Sequence, residues 1–212
     1  MKLYNYFRSS ASFRVRIALA LKGLPYDYVA VHLARGDHKL PAFSQLVPDP
    51  LVPLLELDDG QRLHQSLAIM EYLDEVHPTP ALLPGDALGR ARVRALALAV
   101  ACEIHPLNNL RVLKYLVKDM GLSEEQKNKW YIHWVRQGLE AFDQQLAYSP
   151  TGRFCHGDTP GMADCVLIPQ VFNAQRFNVP LEGLDRVQRV FAACMALPAF
   201  AQTQPSACPD AE

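Results

Sequence analysis

The sequence predicts a small mixed α/β domain followed by an all-helical domain, and three observations support this. Strand and helix patterns alternate over the first part of the chain in the order βαβ–ββα. A proline-rich stretch then follows, His77-Pro78-Thr79-Pro80-Ala81-Leu82-Leu83-Pro84-Gly85-Asp86, which no regular element can cross. Beyond it, the apolar residues repeat with a helical period. We therefore expect domains at residues 1–80 and 88–212, joined by a linker.

The first domain is expected to contain four strands and two helices. The strands are predicted at residues 2–7, 26–31, 52–57 and 61–63, and the helices at 12–22 and 66–77. Such an order describes a mixed sheet with helices on its faces. The first helix is predicted to bury one apolar side, formed by Phe13, Ile17, Ala20 and Leu21.

Two long helices are predicted in the second domain from apolar positions spaced near 3.6 residues. In the first of them these positions are Val93, Leu96, Ala97, Val100, Ile104 and Leu107. In the second they are Trp130, Ile132, Trp134, Val135, Leu139, Phe142 and Leu146. A later helix is predicted to begin at Gly161, with Asp164 reaching back to the Gly161 backbone and Pro169 bending its axis. The chain after Gln202 is expected to be a loose tail.

The balance of charge, the length of the apolar runs and the spacing of the cysteines argue against several classes of function. The chain has 21 Lys and Arg residues against 22 Asp and Glu residues, so neither a nucleic acid nor a membrane surface is indicated as a partner. The longest apolar run, Ala95 to Cys102, is too short to span a bilayer, and we expect a cytoplasmic protein. The five cysteines contain no C-x-x-C motif and no metal-ligand spacing, so we expect reduced, mostly packed thiols, with Cys208 loose in the tail.

The corner between the first strand and the first helix is the most informative stretch, running from Tyr6 to Leu19. A helix start exposes unpaired N–H groups and the positive end of the peptide dipole, so it favours a bound anion. Arg8 adds a full positive charge there, beside Ser9 and Ser10. The alternative, an ordinary serine cap beside an exposed arginine, stays open on these residues alone.

Two further features of the first domain indicate a ligand site. Val52-Pro53 immediately precedes a strand, where a proline is tolerated and where its peptide bond could be cis or trans. Gln65-Ser66 stands at the start of the next helix, with Ser66 a natural N-cap whose hydroxyl could instead hold a ligand carboxylate. A plain trans proline and a plain helix cap are the alternatives.

Together these motifs resemble the soluble glutathione transferases, and within them the zeta class. The likeness rests on Ser9-Ser10-Ala11-Ser12-Phe13-Arg14-Val15-Arg16-Ile17-Ala18-Leu19, on Ile104-His105-Pro106-Leu107-Asn108-Asn109-Leu110 and on Asn173-Ala174-Gln175-Arg176-Phe177. It extends to about Pro198. The resemblance implies a thioredoxin-like domain that binds glutathione, a helical domain that binds substrate, and a homodimer. Glutathione would be held by Ser9, Ser10, Val52, Pro53, Gln65, Ser66, His105 and Asn108.

The resemblance also implies an activity, the glutathione-dependent conversion of maleylpyruvate to fumarylpyruvate, or of maleylacetoacetate to fumarylacetoacetate, in the catabolism of aromatic compounds. The sulfur of glutathione would add to the double bond, rotation would follow, and expulsion of the sulfur would give the trans diacid. Ala11 stands where the zeta motif has cysteine, so the thiol must come from glutathione alone.

Each candidate side chain has an implied role. Ser9 and Ser10, at the helix start, would favour the thiolate, while Arg8 and Arg176 would pair with the substrate carboxylates as catalytic residues. Arg111 lies three residues after Asn108 and is expected on the same helix, with His105 one step back, as a third cation for the substrate. A solvated surface role for Arg111 and structural roles for His105 and Asn108 stay open. Arg14, Arg16, Trp130 and Trp134 are interpreted as structural.

Two other functions stay open at this point. A general glutathione transferase would conjugate or reduce electrophiles and would show no strict preference for diacids. A transferase-like binding module without activity would fail to retain glutathione and would expose an apolar patch. The sequence does not fix the length of the substrate, because one methylene contributes only about 1–3 kcal/mol of discrimination.

Overall fold

The computed structural model describes residues 1–148 and 150–212 and divides into two compact units. The first comprises Met1–Leu82 together with Met195–Glu212, and the second comprises Leu83–Cys194. The division differs from the expected domains in one respect, since residues 195–212 belong with the α/β part and not with the helical part. Residues 195–212 belong to the first unit because they contact residues near the start of the chain, as described below.

The first unit is built on a mixed four-stranded sheet, as the sequence predicted. The strands are β1 (Lys2–Asn5), β2 (Asp27–Ala30), β3 (Leu54–Glu56) and β4 (Arg62–His64), in the spatial order β2-β1-β3-β4. β1 and β2 are parallel, with Lys2 opposite Asp27. β1 with β3 and β3 with β4 are antiparallel, and Leu55 stands opposite both Leu3 and Leu63.

The first unit also contains the helices α1 (Ser10–Leu21), α2 (Pro41–Ser44) and α3 (Ser66–Val76). The short α2 lies in the stretch between the second and third strands, where no regular element was predicted. Short turns of helix also occur at Asp37–Lys39, Pro198–Ala201 and Pro205–Ala207. α1 packs against both α3 and the turn at Pro198–Ala201.

The prediction of which side of α1 is buried was partly wrong. Phe13 and Ile17 are buried as expected, but Ala20 is exposed and Leu21 is only half-buried. Val15 and Leu19 instead join the core with Leu3, Leu55, Ile69 and Leu73. The reason is that the sheet, α3 and residues 198–201 cover α1 on several sides, so its middle is buried almost all round, including Arg14 and Arg16.

The segment after Gln202 is not a loose tail, and this prediction was wrong. Cys208 is 8% exposed and belongs to a second buried cluster of the first unit. The other members of that cluster are Tyr6, Phe7, Val31, Phe43, Val47, Val52 and Leu54. Apolar packing and a hydrogen bond from Arg16 Nε to the Thr203 carbonyl therefore hold residues 203–210 in place.

The second unit is helical throughout, as predicted. Its helices are α4 (Ala87–Leu98), α5 (Leu110–Lys118), α6 (Glu124–Gln145), α7 (Met162–Arg176) and α8 (Asp185–Met195). Between α4 and α5 the chain forms a wide π-helical segment at Ala99–Ile104 and a tight 3₁₀ turn at His105–Asn108.

The first predicted long helix is α4 followed by the π-helical segment and the 3₁₀ turn. The buried residues of this stretch and of α6 follow the predicted period with two departures. Val93, Leu96, Ala97, Val100 and Ile104 are buried, while Leu107 is only half-buried. In α6 the sequence pattern missed Tyr131, which is buried with Val135, Leu139, Phe142 and Leu146. Trp130, Ile132 and Trp134 were predicted to be buried but are only half-buried. The buried face of α6 is rotated slightly from the predicted one, so that Tyr131 is buried in their place.

The start of α7 has the predicted cap. Asp164 Oδ2 accepts a hydrogen bond from the Gly161 N–H at 2.9 Å. Its other oxygen, Oδ1, accepts from the Cys155 N–H at 2.9 Å. Pro169 lies inside the helix.

The cysteines of the chain are all free, and Cys155, Cys165, Cys194 and Cys208 are buried while Cys102 is exposed. Burial raises the pKa of the Cys155 and Cys194 thiols, so both stay protonated at neutral pH. Within residues 1–148 and 150–212 no group of His, Cys, Asp and Glu side chains could hold a metal ion. None of the helices in these residues combines the length and the apolar character needed to cross a bilayer.

Candidate functional site

Ser9 caps the first helix of the α/β unit. Its backbone is extended, with φ −74° and ψ 116°, and its Oγ accepts a hydrogen bond from the Ser12 N–H at 3.2 Å. A serine cap, which the sequence left open as the alternative at this corner, is therefore present. Because Oγ accepts in this bond, its own O–H can still donate to a ligand. Ser10 follows as the first helical residue and is buried.

Arg8 precedes this cap and is exposed. Its guanidinium carbon lies 4.9 Å from the centroid of the Phe7 ring. A guanidinium over an aromatic face keeps its planar fork available for an anion while its stem is packed. The corner therefore combines a cation with the positive end of α1.

The Val52-Pro53 peptide bond is cis. Both residues are buried, and Val52 belongs to the same apolar cluster as Phe7. β3 starts immediately afterwards at Leu54. This cluster thus supports both the segment before Arg8 and the segment before β3. A second cis bond, Thr79-Pro80, lies in the proline-rich stretch.

The start of α3 differs from the prediction that Ser66 is its N-cap. The cap position is Gln65, whose φ of 68° and ψ of 114° lie in a region that non-glycine residues rarely adopt, and its side chain makes no capping bond. Ser66 is the first helical residue. Its Oγ accepts a hydrogen bond from Arg14 Nη1 at 3.2 Å. The first N–H groups of α3 therefore have no side-chain cap, and strained backbone of this kind is concentrated at functional sites.

Arg14 is structural, as predicted, but sequence reasoning missed its link to the candidate site at Ser66. It is only 3% exposed and links α1 to the first residue of α3. The sequence could have indicated this link, because an arginine with buried neighbours on both sides in α1 needs a polar partner elsewhere in the fold. Arg16 is structural, as predicted, since it donates to the Asn5 side chain and to the Phe7 carbonyl.

The expectation that His105, Asn108 and Arg111 share one helix was wrong. Pro106 lies in the 3₁₀ turn that ends at Asn108, Asn109 is extended, and α5 begins only at Leu110. Asn109 Oδ1 accepts from the Arg111 N–H at 3.1 Å and caps α5. The missing N–H of proline favours such a break over a continuous helix.

These three side chains have different environments. Asn108 is 7% exposed, and its Nδ2 has no hydrogen-bond partner among residues 1–148 and 150–212. Arg111 is exposed on α5. His105 is half-buried, and its Nε2 lies 3.4 Å from Asn109 Nδ2. The buried amide of Asn108 is thus a donor available to a ligand.

Arg176 is the last residue of α7, and a stack of aromatic rings supports it. Its guanidinium carbon lies 4.8 Å from the centroid of the Phe177 ring. Phe177 in turn stacks on Tyr131, with ring centroids 4.0 Å apart. Burial raises the pKa of Tyr131, and the positive charge of Arg176 opposes this rise. Trp130 is structural, as predicted, donating from Nε1 to the Leu107 carbonyl at 2.7 Å.

The candidate residues are divided between the two units. The first unit holds Arg8, Ser9, Ser10, Val52, Pro53, Gln65 and Ser66, and the second holds His105, Asn108, Arg111 and Arg176. Within the first unit, the packing of α1 on α3 and the bond from Arg14 to Ser66 bring the two helix N-termini into one structure.

The chain is similar to named enzymes along its whole length. It is 52% identical over 211 residues to a maleylpyruvate isomerase of a Ralstonia species, covering 99% of both chains. It is 49% identical over 212 residues to the maleylacetoacetate isomerase of Pseudomonas aeruginosa, covering 99% of this chain and 98% of that one.

Solved structures show the same likeness. The holo structure of a maleyl pyruvate isomerase, described as a bacterial glutathione S-transferase of the zeta class, is 51% identical, with a TM-score of 0.97 and full coverage of both chains. The maleylacetoacetate isomerase of Anaeromyxobacter dehalogenans 2CP-1 is 43% identical. Its structure with bound GSH has a TM-score of 0.90 and covers 100% of this chain and 97% of that one. A second structure of it contains dicarboxyethyl glutathione and citrate in the active site, with a TM-score of 0.89 and the same coverage.

Two family models also match, the N-terminal domain of glutathione S-transferases at residues 8–76 and the C-terminal domain at residues 135–196. The matches include the corner at Arg8, the start of α3 and the end of α7. The chain belongs to the glutathione S-transferase family, and within it to the zeta class.

Proposed function

We propose that this protein is a glutathione-dependent cis–trans isomerase that converts maleylpyruvate or maleylacetoacetate to the fumaryl isomer in the catabolism of aromatic compounds. The observation that carries the proposal is the 52% identity to a maleylpyruvate isomerase across 99% of both chains. The geometry of the first unit agrees with it, since two helix N-termini and an exposed arginine suit a ligand with several negative charges.

Glutathione fits the residues of the first unit. Its γ-glutamyl carboxylate would bind at the start of α3, where the N–H groups lack a side-chain cap and Ser66 is fixed by Arg14. Its peptide part would lie beside Val52 and Pro53. Its sulfur would lie at the start of α1, beside Ser9 and Ser10. His105 and Asn108 are proposed as further glutathione contacts from the second unit, and the free Nδ2 of Asn108 supports this for Asn108.

The chemistry that bound glutathione supplies is a thiol nucleophile, which the corner itself lacks because residue 11 is alanine. The residues of this chain stabilise negative charge around that thiol. The Ser9 O–H can donate a hydrogen bond to a thiolate, and the positive end of α1 favours the same charge. No protein cysteine is required.

The diacid substrate requires cations, and the chain offers three candidates. Arg8, Arg111 and Arg176 are all exposed, and each guanidinium can bind a carboxylate through two parallel hydrogen bonds. Arg8 and Arg176 are proposed as the catalytic pair, since an aromatic ring packs against each guanidinium and restricts its position. Arg111 is proposed as a further substrate contact.

A spectrophotometric assay with maleylpyruvate and maleylacetoacetate side by side, with and without glutathione, tests this proposal. We expect isomerisation that depends on glutathione. The Anaeromyxobacter enzyme, whose active site contains dicarboxyethyl glutathione, is a suitable positive control. Conjugation of chlorinated aromatic electrophiles without isomerisation of either diacid would favour a general transferase. Absence of both activities and of glutathione binding would favour a binding module.

A homodimer is also proposed, supported by an exposed apolar stripe on α4. Leu88 is 81% exposed and Leu98 is 45% exposed. Exposed Ala91, Ala95 and Cys102 extend this stripe with helical spacing. Water-facing apolar residues in such a row are typical of a subunit interface. Sedimentation at micromolar concentration should give a dimer, and Leu98→Glu should weaken it, whereas Met120→Glu at another exposed apolar position should not. A monomeric parent protein would contradict this proposal.

The cytoplasm is the proposed location. Its support is the set of five free cysteines, four of them buried, since secreted proteins commonly use cysteines in disulfides.

A further inference from the structure

Residues 195–212 pack in the first unit and end beside the corner that contains Arg8 and Ser9. Asp210 Oδ2 accepts a hydrogen bond from the Phe7 N–H at 3.2 Å. Its other oxygen, Oδ1, accepts from the Tyr28 hydroxyl. Phe7 lies after the end of β1 and before the start of α1, so neither the sheet nor the helix provides a partner for its N–H. Asp210 supplies that partner.

The carbonyl of Phe7 is fixed from the other side by Arg16. Arg16 Nη2 donates to the Phe7 carbonyl at 3.1 Å, and Nη1 donates to Asn5 Oδ1 at 3.0 Å. Arg16 Nε donates to the Thr203 carbonyl at 3.0 Å, so the same segment also holds the arginine. Both backbone polar groups of Phe7 are therefore held by contacts that involve residues 203–210.

We propose that Asp210 is a positioning residue, which fixes the backbone just before Arg8 and Ser9 and so directs both side chains toward the diacid and the sulfur. This inference rests on the proposed function. A carboxylate suits the task, because one oxygen accepts from a backbone amide while the other accepts from a phenol. The Ser9 N–H donates to the Tyr6 carbonyl at 2.9 Å, so a backbone hydrogen bond closes the turn from Tyr6 to Ser9.

Asp210→Ala is the first test. We expect kcat/KM for the diacid to fall about tenfold, since displacing a positioned group by about 1 Å can cost up to about a hundredfold. Glutathione affinity should change less than kcat/KM, because most of the proposed glutathione contacts, including Gln65 and Ser66, lie outside this corner. Asp210→Asn should restore most of the activity, since the amide Oδ1 can still accept the bond from the Phe7 N–H.

Glu212→Gln is the matched control. Glu212 lies two residues further on, pairs with the exposed Arg35 and lies 3.5 Å from His32 Nε2, but within the described residues it makes no hydrogen bond to the turn from Tyr6 to Ser9. We expect the kinetics of the parent protein. A loss of kcat/KM equal to that of Asp210→Ala would overturn the positioning role. It would indicate that the negative charge of residues 195–212 matters, and not the hydrogen bond that Asp210 accepts.

Amide hydrogen exchange gives a measurement that needs no variant. The Phe7 amide should exchange slowly in the parent protein, and in Asp210→Ala it should exchange as fast as amides in exposed loops. A fast-exchanging Phe7 amide in the parent overturns the proposal even if the alanine variant does not fold.

The outcomes separate this inference from the proposed function. If the parent protein isomerises a diacid and Asp210→Ala does so equally fast, the positioning role is wrong and the function stands. If Asp210→Asn is as impaired as Asp210→Ala, the role as hydrogen-bond acceptor is wrong. If the parent isomerises neither diacid, the function is wrong, while hydrogen exchange still decides whether Asp210 holds the corner.

Discussion

Helices α1 and α3 pack against each other, yet their N-termini are built differently. At α1, the Ser9 hydroxyl accepts a hydrogen bond from the Ser12 N–H and so caps the helix. At α3, Gln65 has a φ of 68° and offers no cap, while the Ser66 hydroxyl is bound to Arg14. The start of α1 therefore has a side-chain cap, whereas the first N–H groups of α3 have none and are proposed to bind the glutathione carboxylate. We therefore expect changes near α1 to affect catalysis and stability, and changes near α3 to affect glutathione binding.

The largest effect is expected at the arginines. Arg8→Ala and Arg176→Ala should each lower kcat/KM for the diacid roughly ten- to a hundredfold, because a charge-assisted contact of about 1.5–3 kcal/mol is lost. Glutathione affinity should change little, as measured by calorimetry. Lysine at either position should restore only part of the activity, since it keeps the charge and loses the bidentate geometry. Alanine variants as fast as the parent would favour the general transferase.

The next effect is expected at the start of α3. Ser66→Ala and Gln65→Ala should weaken glutathione binding by about 1.5 kcal/mol, roughly tenfold, since each loses a contact to a charged carboxylate. kcat at saturating glutathione should stay near the parent value, because these contacts are remote from the double bond and equal in ground and transition states. Unchanged affinity in both variants would show that the cofactor binds elsewhere.

Ser9→Ala should produce a smaller change with two components. Loss of the cap should lower the free energy of unfolding by about 1 kcal/mol, as measured by urea denaturation. kcat should fall as well, because the O–H donor to the thiolate is lost.

Ser123→Ala is the matched control for this variant. Ser123 caps α6 with the same Oγ to N–H distance of 3.2 Å, from Gln126, but it lies outside the candidate site. The control should lose similar stability and keep the parent kcat. Equal kinetic losses in both variants would assign the Ser9 effect to folding alone.

The smallest effect is expected at Glu56, on the sheet strand that follows Pro53. Hydrogen bonds from Arg62 and Lys2 lower the pKa of this carboxyl. A lowered pKa in the folded state stabilises the protein above the usual carboxyl range, and this contribution disappears as the pH falls through the folded pKa. Glu56→Gln should slightly reduce the drop in the free energy of unfolding between neutral and acid pH, as measured by urea unfolding at both pH values. An unchanged pH dependence would contradict the assignment.

The strands, the order of elements and the corner at Arg8 could be predicted from the sequence because local signals fix them. Apolar alternation predicts the strands, prolines predict the interruption after Val76, and the serines predict the cap at Ser9. The cap by Asp164 was equally local, since its partner Gly161 lies only three residues away.

The other features depend on partners far along the chain. Arg14 gained its role from Ser66, fifty-two positions later, and no local pattern reports such a pairing. The segment around Cys208 and Asp210 looked polar and loose, yet its contacts are with Phe7, Tyr28 and Arg16. The break between Asn108 and Arg111 was missed because helical spacing of the side chains continues on both sides of it.

The buried amide of Asn108 has a consequence for selectivity. Its Nδ2 has no partner within the described residues, so in the proposed glutathione contact a ligand that displaces water from this donor and presents no acceptor leaves it without a bond. That mismatch costs about 1–3 kcal/mol, roughly a ten- to hundredfold lower affinity for the unsuitable molecule. Glutathione analogues that present an apolar group there would bind more weakly on this ground, even where they fill the space equally well. Discrimination by such a group acts through rejection of the wrong cofactor, whereas the arginines are proposed to act through attraction of the right substrate.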